Sequence, residues 1–539
     1  MTLRRCGEPA ARIPSWRRRA RRGAGRIAAR RHSKLGQRGA DSRAIGRRTL
    51  RRPGHGAQQN QLRQRGTRSA LQTPVAERYE RHRPEDTALH RIVCEQLEEF
   101  LRTCREETGA KLPRFVERAF RAYMACGLAS AGFTRLVCKA CGHEAILAFS
   151  CKTRLLCPSC AARHVGDGAA HFLDRVLPDV AYRQIVVSLP FEVRGLLAFR
   201  PPVLNAAVRL IDDTVMAWQR RRAADPTARV GGISVLQRSG GALNIHPHVH
   251  LLVADGAWHE EADGTLRFRP TPAPTLDEVA ALADRIARRL TRMLHRRGLT
   301  LHEDNDAPPP EPKPDPLAGC IQVALGLGHR ESQEPALELA SDEPPRPRRS
   351  DPPLCAIAQG VNVHAGVVVR AGDRPTLETV LRYLLRPPLS LERLSLRDDG
   401  AVVYRLQRPD RRGRTALVMT PLEFLARLAA ILPAPRLALR RQLGVFSPGS
   451  KDRRKVMPAQ PLPESCHPTT KVPTRIPWAE LLRRVFDLDG LRCERCGGRL
   501  RPVAVVLDLA EAERYLRARG EFTPLPGPAR SRGPPAAVA

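Results

Sequence analysis

The chain has 539 residues, 42% of them hydrophobic, and a formal net charge of +36. This length predicts two to four folded units with buried cores, and the charge favours a polyanionic partner, nucleic acid first, over a basic surface that is merely solvated. No apolar run approaches the ~18 residues that span a bilayer, and the chain does not begin with the apolar segment of a signal peptide. We therefore expect a cytoplasmic protein that does not act in a membrane.

The first predicted region is an Arg-rich arm over residues 1–80. Its first 70 residues contain 21 Lys and Arg and only two acidic residues, a net +19 that is about half of the total charge. No apolar periodicity runs through it, so the composition predicts disorder. The arm either binds nucleic acid or is upstream sequence translated from a wrongly assigned start codon. We favour the second interpretation, because the later domains need nothing from the arm.

Residues 81–175 are predicted to form a helical and zinc-binding domain. The segments "LHRIVCEQLEEFLRTC" and "LPRFVERAFRAYMACG" repeat apolar residues at three- and four-residue steps, which indicates helices. Two C-x2-C pairs follow, 15 residues apart, a spacing typical of a structural Zn²⁺ site with four thiolate ligands. Cys151 is a fifth thiol that could replace one of them. The predicted zinc ligands are Cys138, Cys141, Cys157 and Cys160.

In residues 176–450 strands and helices alternate. From 182 to 369 the order is strand, helix, strand, strand, helix, strand, which predicts an α+β fold with a ferredoxin-like antiparallel sheet, helices on one face and the other face open. A stretch at about 302–353 is rich in Pro, Asp and Glu and predicts a surface insertion or linker. The strands are expected at 182–190, on both sides of the "SGG" turn in "GGISVLQRSGGALNIHPHVHLLVADG", and at 361–369, and the helices at 203–222 and 276–298.

The strand "NIHPHVHLLV" carries three histidines at alternate positions. Side chains alternate across a strand, so His246, His248 and His250 share the face opposite the apolar core. Imidazoles two residues apart are ~6.6 Å apart along a strand and can converge on one ion. We expect His248 and His250 to bind a divalent ion. His246 is the less suited of the three, since it is one repeat further away and precedes Pro247.

Two imidazoles leave an ion with room for further ligands, including phosphate oxygens. Gln237 on the partner strand and His364 on the fourth strand are candidates for a third protein ligand. Either residue could instead be an ordinary polar side chain near the sheet.

A short amphipathic helix, "LETVLRYLLRPP", follows the fourth strand and carries Tyr383. Its valine and leucines are expected to face the core, which leaves the tyrosine near the histidine face. Arg382 and Arg386 flank Tyr383 and are candidates to contact DNA phosphates. The tyrosine is then a candidate nucleophile, with simple packing as the alternative.

Taken together, these motifs resemble the HUH endonuclease superfamily, specifically the rolling-circle transposases of the insertion sequence 91 family and the related common-region elements. The resemblance covers roughly residues 80–450 and is carried by the cysteine cluster, the histidine strand, "VVSLPFEVR", "VNVHAGV", "LRYLLRPPLSLERL" and "LEFLARLAAILPAPR". It implies an HUH nuclease core behind a zinc-binding domain, Mg²⁺ or Mn²⁺ on His248 and His250, and a catalytic role for Tyr383. Some members have a second tyrosine four residues later, where this chain has Pro387, so it resembles the single-tyrosine branch.

The resemblance implies a bacterial, nucleoid-associated transposase that cleaves and rejoins single-stranded DNA at the ends of a mobile element through a 5′-phosphotyrosine. The alternatives are a plasmid replication initiator or relaxase with the same chemistry, and a non-catalytic zinc DNA-binding remnant.

The predicted C-terminal tail, 451–539, contains one further C-x2-C pair, Cys493 and Cys496. This pair is half of a metal site. Cys466 and His467 could complete it, or the two thiols could be unpaired.

Overall fold

The computed structural model describes residues 83–299, 315–326, 354–410, 413–458, 478–486 and 489–527. The predicted Arg-rich arm, Cys466, His467 and most of the predicted insertion lie outside these ranges. Within the described ranges, no helix is long and apolar enough to cross a membrane.

The described helices and strands alternate along much of the chain. Helices run as α1 (Ala88–Thr108), α2 (Arg114–Met124), α3 (Pro158–Arg175), α4 (Phe191–Phe199), α5 (Pro201–Arg222), α6 (Leu276–His295), α7 (Pro316–Ala324), α8 (Arg374–Leu385), α9 (Pro421–Ile431), α10 (Arg453–Val456), α11 (Trp478–Phe486) and α12 (Leu509–Ala518). Strands run as β1 (Phe133–Cys138), β2 (Glu144–Ala148), β3 (Tyr182–Ser188), β4 (Gly231–Ser239), β5 (Ile245–Ala254), β6 (Gly256–Glu260), β7 (Leu266–Pro270), β8 (Cys355–Ala358), β9 (Val361–Val369), β10 (Leu394–Leu396), β11 (Val402–Arg405), β12 (Ala416–Met419), β13 (Arg440–Gly444) and β14 (Leu500–Val506).

The largest sheet has six strands in the order β13, β4, β5, β3, β9, β8, and every neighbouring pair is antiparallel. The histidine strand β5 is therefore an inner strand. Pro247 is tolerated there because its pairing with β3 ends at His248 and the register with β4 shifts beside it, between Gln237 and Ser239. A proline has no N–H for the ladder, so it requires such an irregularity.

Helices cover both faces of this sheet. On one face Asp212 of α5 hydrogen-bonds Ser234 of β4, and α6 packs beside α5 through a 2.7 Å hydrogen bond from Arg289 to Thr214. On the histidine face, α3 and α8 bury Phe172 and Leu381 against the strands. The expected open face is thus open only at one end, because a helix of the predicted zinc-binding region folds back onto the sheet.

Two smaller sheets flank this core, β10-β11-β12 and β14-β1-β2, beside the hairpin β6-β7. The second of them pairs β1 of the predicted zinc-binding domain with β14, from the region predicted to be a tail. Helix α7 lies inside the predicted insertion, capped by Asp315, and its Cys320 and Ile321 are buried in a core shared with α1 and α9. Its nine residues are too few for a helical repeat of apolar residues to stand out in the sequence from the Pro- and acid-rich stretches around them.

Candidate functional site

A cleft of about 760 Å³ opens where α8 leaves the end of the central sheet uncovered. Strands β3, β5, β8 and β9 form its floor, and α8 forms one wall. Its lining residues are Gln184, Val186, Ser188, His246, His248, His250, Cys355, Ile357, Asn362, His364, Val367, Thr379, Val380 and Tyr383.

All three histidines of β5 face this cleft, as the alternation of the strand predicts. The ring centroids are 5.0 Å apart between His246 and His248, and 4.9 Å apart between His248 and His250. Burial lowers the pKa of all three, to about 3 for His246 and His250. The imidazoles are therefore neutral near pH 7, which is the form that binds metal ions.

Hydrogen bonds orient two of these rings. His248 Nδ1 donates to the carbonyl oxygen of His246 at 2.7 Å, which leaves Nε2 with its lone pair. His250 Nδ1 lies 3.1 Å from the amide nitrogen Nε2 of Gln184, a buried residue of β3. Turning this amide by 180° exchanges its nitrogen and oxygen, and the oxygen then accepts from Nδ1–H and leaves Nε2 of His250 free for an ion. Sequence reasoning missed Gln184, whose signal was a polar residue directly before the apolar run "IVV" of the strand.

The two proposed third ligands, His364 and Gln237, lie in different places in the structure. His364 of β9 lines the cleft, and burial lowers its pKa. Gln237 is opposite His248 in the β4–β5 register but does not line the cleft. Its Nε2 donates to the carbonyl oxygen of Leu384 at 2.7 Å, in the last turn of α8. Gln237 therefore contacts the helix that carries Tyr383 through this hydrogen bond.

The cleft does not gather three acidic, histidine or cysteine ligands tightly. Across the described part of the chain, the groups of three or more such ligand atoms within 4.8 Å of one another are two cysteine clusters. An ion in the cleft would have at most two close imidazole ligands, so most of its coordination positions would be open to water or substrate.

Tyr383 lies on α8 beside the histidines. Leu377, Leu381 and Leu384 of this helix are buried, whereas Tyr383 is 46% exposed. Its ring is perpendicular to that of His250, with 5.9 Å between the centroids. The guanidinium carbon of Arg386 lies 4.3 Å from the centre of the tyrosine ring, and Arg382 forms a 2.8 Å ion pair with Glu378.

The five described tyrosines differ in their surroundings. Tyr123, Tyr182 and Tyr404 are buried in hydrophobic cores. Tyr515 is half-buried and donates a 2.7 Å hydrogen bond to Glu144. Among the described residues, Tyr383 is thus the tyrosine that is both exposed and in the histidine cleft.

Arg194 is a second arginine near the histidines, in addition to Arg386. Arg194 of α4 and Arg386 both lower the pKa of His248 through their charge, after the larger effect of burial. Phe191, at the start of α4, is 54% exposed, with the guanidinium carbon of Arg194 5.6 Å from its ring centre. The sequence did not lead us to assign a role to Phe191 or Arg194, although both belong to the quoted motif "VVSLPFEVR".

The structure corrects the predicted grouping of the zinc ligands. Cys157 and Cys160 do not lie with Cys138 and Cys141; they cluster with Cys126 and Cys151. The reason is the chain path: Cys138 ends β1 and turns into the β1–β2 hairpin, whereas Cys157 precedes α3. Cys126, the member of this cluster that the sequence did not predict, lies two residues after the end of α2 in "YMACG".

This first cluster has the donor set of a closed zinc site. The Sγ atoms of Cys126 and Cys157 are 3.5 Å apart, and Sγ of Cys160 lies 3.8 Å from Cys126 and 3.5 Å from Cys151. Four thiolates at such spacing fill the tetrahedral shell that Zn²⁺ prefers, with no position left for a substrate. The cluster therefore fits structural zinc. Cys138 and Cys141 lie instead beside Cys493 and Cys496.

Comparison with known proteins matches two parts of the chain. Residues 231–454 match a family described as "Putative transposase", and residues 92–189 match one described as "Transposase zinc-binding domain". The first range contains the histidine strand and α8. The second contains the cluster of Cys126, Cys151, Cys157 and Cys160, which together with the match supports structural zinc.

Two curated proteins are similar to the chain. The transposase for insertion sequence element IS801 of Pseudomonas savastanoi pv. phaseolicola is 26% identical over 398 residues, which is 72% of this chain and 83% of that protein. The putative transposase y4qJ of Sinorhizobium fredii is 31% identical over 160 residues, 28% of this chain and 38% of that protein. No solved structure matches the chain.

Proposed function

Since the chain belongs to the insertion sequence 91 family of rolling-circle transposases, we propose that it cleaves and rejoins single-stranded DNA with Tyr383 as the nucleophile. The observation that carries the proposal is the position of Tyr383, exposed on α8 with its ring against His250. The same protein would act on the ends of its mobile element.

In the proposed step the Tyr383 oxygen loses its proton and attacks the phosphorus of a phosphodiester. The bond from phosphorus to the 3′ oxygen breaks, and that oxygen leaves as a 3′-hydroxyl after taking up a proton. The 5′ end stays on the enzyme as a phosphotyrosine. The covalent bond stores the energy of the phosphodiester, so a second 3′-hydroxyl can displace the tyrosine without ATP.

His248 and His250 would hold a divalent cation, Mg²⁺ or Mn²⁺, through their Nε2 atoms. When bound, the cation would withdraw charge from the phosphoryl oxygens and fix their position. The residues fit this role because both imidazoles are neutral and because His248 Nδ1 is engaged with a backbone carbonyl. Gln184 would hold the ring of His250 in the binding orientation.

The borders of the cleft suit a single strand. Arg194 and Arg386 lie near the histidines and can contact phosphates on each side of the scissile one. Exposed apolar side chains, Phe191, Ile357 and Val367, offer surfaces for bases that are not paired. Aromatic stacking together with a basic groove is how proteins bind single strands with little sequence preference.

The sheet supports an HUH-type core. Strands β3, β4, β5 and β9 are the first to fourth strands of the predicted pattern, and their spatial order is β4, β5, β3, β9 with every pair antiparallel. A ferredoxin-like split βαβ sheet has this arrangement. It brings the third strand, with the histidines, beside the first strand, with Gln184.

The test is incubation of the purified protein with labelled single-stranded DNA from the ends of its element, with Mg²⁺ or Mn²⁺. The intact protein should form a covalent DNA adduct that survives denaturation, and duplex DNA of the same sequence should give much less. Tyr383→Phe keeps the ring and its packing but removes the nucleophile, so it should fold and bind DNA without forming the adduct. Binding without any adduct from the intact protein would indicate a non-catalytic remnant.

A further inference from the structure

We propose that Cys138, Cys141, Cys493 and Cys496 bind a second structural zinc ion, which fastens residues 489–527 to the zinc-binding module. All four Sγ atoms lie within 4.8 Å of one another. The sulfurs of Cys138 and Cys496 are 3.5 Å apart, and those of Cys141 and Cys493 are 3.6 Å apart. Such a set of four thiols has the composition of a closed, tetrahedral zinc site.

The two halves of the cluster have the same turn conformation. In each C-x2-C-G segment the glycine N–H donates to the carbonyl oxygen of the first cysteine at 2.9 Å, from Gly142 to Cys138 and from Gly497 to Cys493. Gly142 and Gly497 have φ values of 70° and 71°, in the left-handed region that glycine adopts without strain. Each segment therefore holds its pair of thiols in a fixed turn.

Hydrogen bonds to sulfur repeat in both turns. Backbone N–H groups of Ala140 and Cys141 donate to Sγ of Cys138, and those of Arg495 and Cys496 donate to Sγ of Cys493. These donors stabilise a thiolate, which is the form of cysteine that binds metal. Two such turns facing each other supply two thiolates each to one ion.

The scaffold around the cluster holds the two halves together. Strand β14 pairs with β1, so that Leu500 lies opposite Cys138. Leu136 and Leu500 are buried with Cys138 and Cys493 in a small core. Around it, His143 Nε2 lies 3.0 Å from a carboxylate oxygen of Glu494. The ligands are thus brought together by pairing and packing between segments more than 350 residues apart in the chain.

This zinc ion would be additional to the one in the matched zinc-binding domain. Residues 92–189 contain Cys126, Cys151, Cys157 and Cys160, which make a full ligand set by themselves, and also Cys138 and Cys141, which are half of the second set. Cys493 and Cys496 lie outside both matched ranges. The C-terminal segment would then be a structural part of the zinc-binding module and no separate tail.

Metal analysis of the full chain, purified under reducing conditions, tests the proposal. We expect two zinc ions per chain, and one in each of the variants Cys138→Ser and Cys493→Ser. The double variant should also retain one, because both cysteines serve the same ion. Cys94→Ser is the matched control, since Cys94 belongs to neither cluster, and should retain two. A single zinc that Cys157→Ser removes and Cys493→Ser leaves in place would overturn the proposal.

A second measurement uses the unaltered protein and does not depend on the folding of a variant. Cys496 is exposed, so a free thiol there would react quickly with N-ethylmaleimide. We expect Cys496 to be protected in the zinc-containing protein and to react after a chelator has removed the metal. Equal rates before and after chelation would contradict the proposal, as would a disulfide between Cys138 and Cys496 in protein kept reduced.

Discussion

Three histidines share one face of β5, but their backbone and side-chain contacts separate their roles. His246 contributes its carbonyl oxygen to His248, and its own Nε2 is buried without a hydrogen-bond partner. His250 is next to Tyr383 and contacts Gln184. The position of Tyr383, the proposed nucleophile, therefore favours the pair His248 and His250 as ligands of the proposed catalytic ion.

Replacing single histidines tests this assignment. His248→Ala and His250→Ala should each lower DNA cleavage by at least about 100-fold, since mutations that remove an essential electrostatic group cost on that order. His246→Ala should retain measurable activity, because the backbone carbonyl that orients His248 remains. Cleavage rates at several Mn²⁺ concentrations are the measurement. If His246→Ala is inactive and His250→Ala is active, the ion lies nearer to His246 than to His250, and the assignment is wrong.

Gln184 contacts His250, a proposed metal ligand, and would not touch the ion itself. Gln184→Leu removes the amide beside His250 Nδ1, so the Mn²⁺ concentration for half-maximal cleavage should rise by about 10–100-fold, as is typical for loss of a partner that orients a metal ligand. Gln184→Glu keeps an acceptor and should recover most of the affinity. If Gln184→Leu changes only thermal stability, Gln184 serves packing alone.

At the scale of elements, the site depends on where α8 sits against the sheet. Its leucines pack with α3 and the strands, and Gln237 of β4 donates to the carbonyl oxygen of Leu384, one residue after Tyr383. The bond satisfies a carbonyl at the end of the helix, where no helical N–H is available. In the proposed mechanism the two strands contribute differently: β5 would supply the metal ligands, and β4 would set the position of Tyr383.

Gln237→Leu separates a positioning role from a ligand role. Loss of the hydrogen bond should lower the maximal cleavage rate by several-fold to about 100-fold, the range expected for a misplaced reacting group. The Mn²⁺ concentration for half-maximal cleavage should stay the same. Full recovery of Gln237→Leu at high Mn²⁺ would instead identify Gln237 as a ligand, as the sequence alone allowed.

For the whole molecule, local patterns predicted local structure well and long-range pairing poorly. Alternation along β5 placed the histidines on one face, and the amphipathic pattern of α8 left Tyr383 exposed. By contrast, one C-x2-C pair has the same spacing as another, so spacing could not show that Cys138 and Cys141 face Cys493 and Cys496. That partnership depends on the pairing of β1 with β14. Gln184 was hidden for the same reason, because its role depends on a neighbouring strand.

The most direct test of the account is to locate the covalent bond in the unaltered protein. The protein is reacted with single-stranded DNA from its element's ends and Mn²⁺, the DNA is trimmed by a nuclease, and the peptides are sequenced by mass spectrometry. We predict that the nucleotide remnant is attached to Tyr383 through a 5′ phosphate. Attachment to another residue such as Tyr515, or through a 3′ phosphate, would contradict the account.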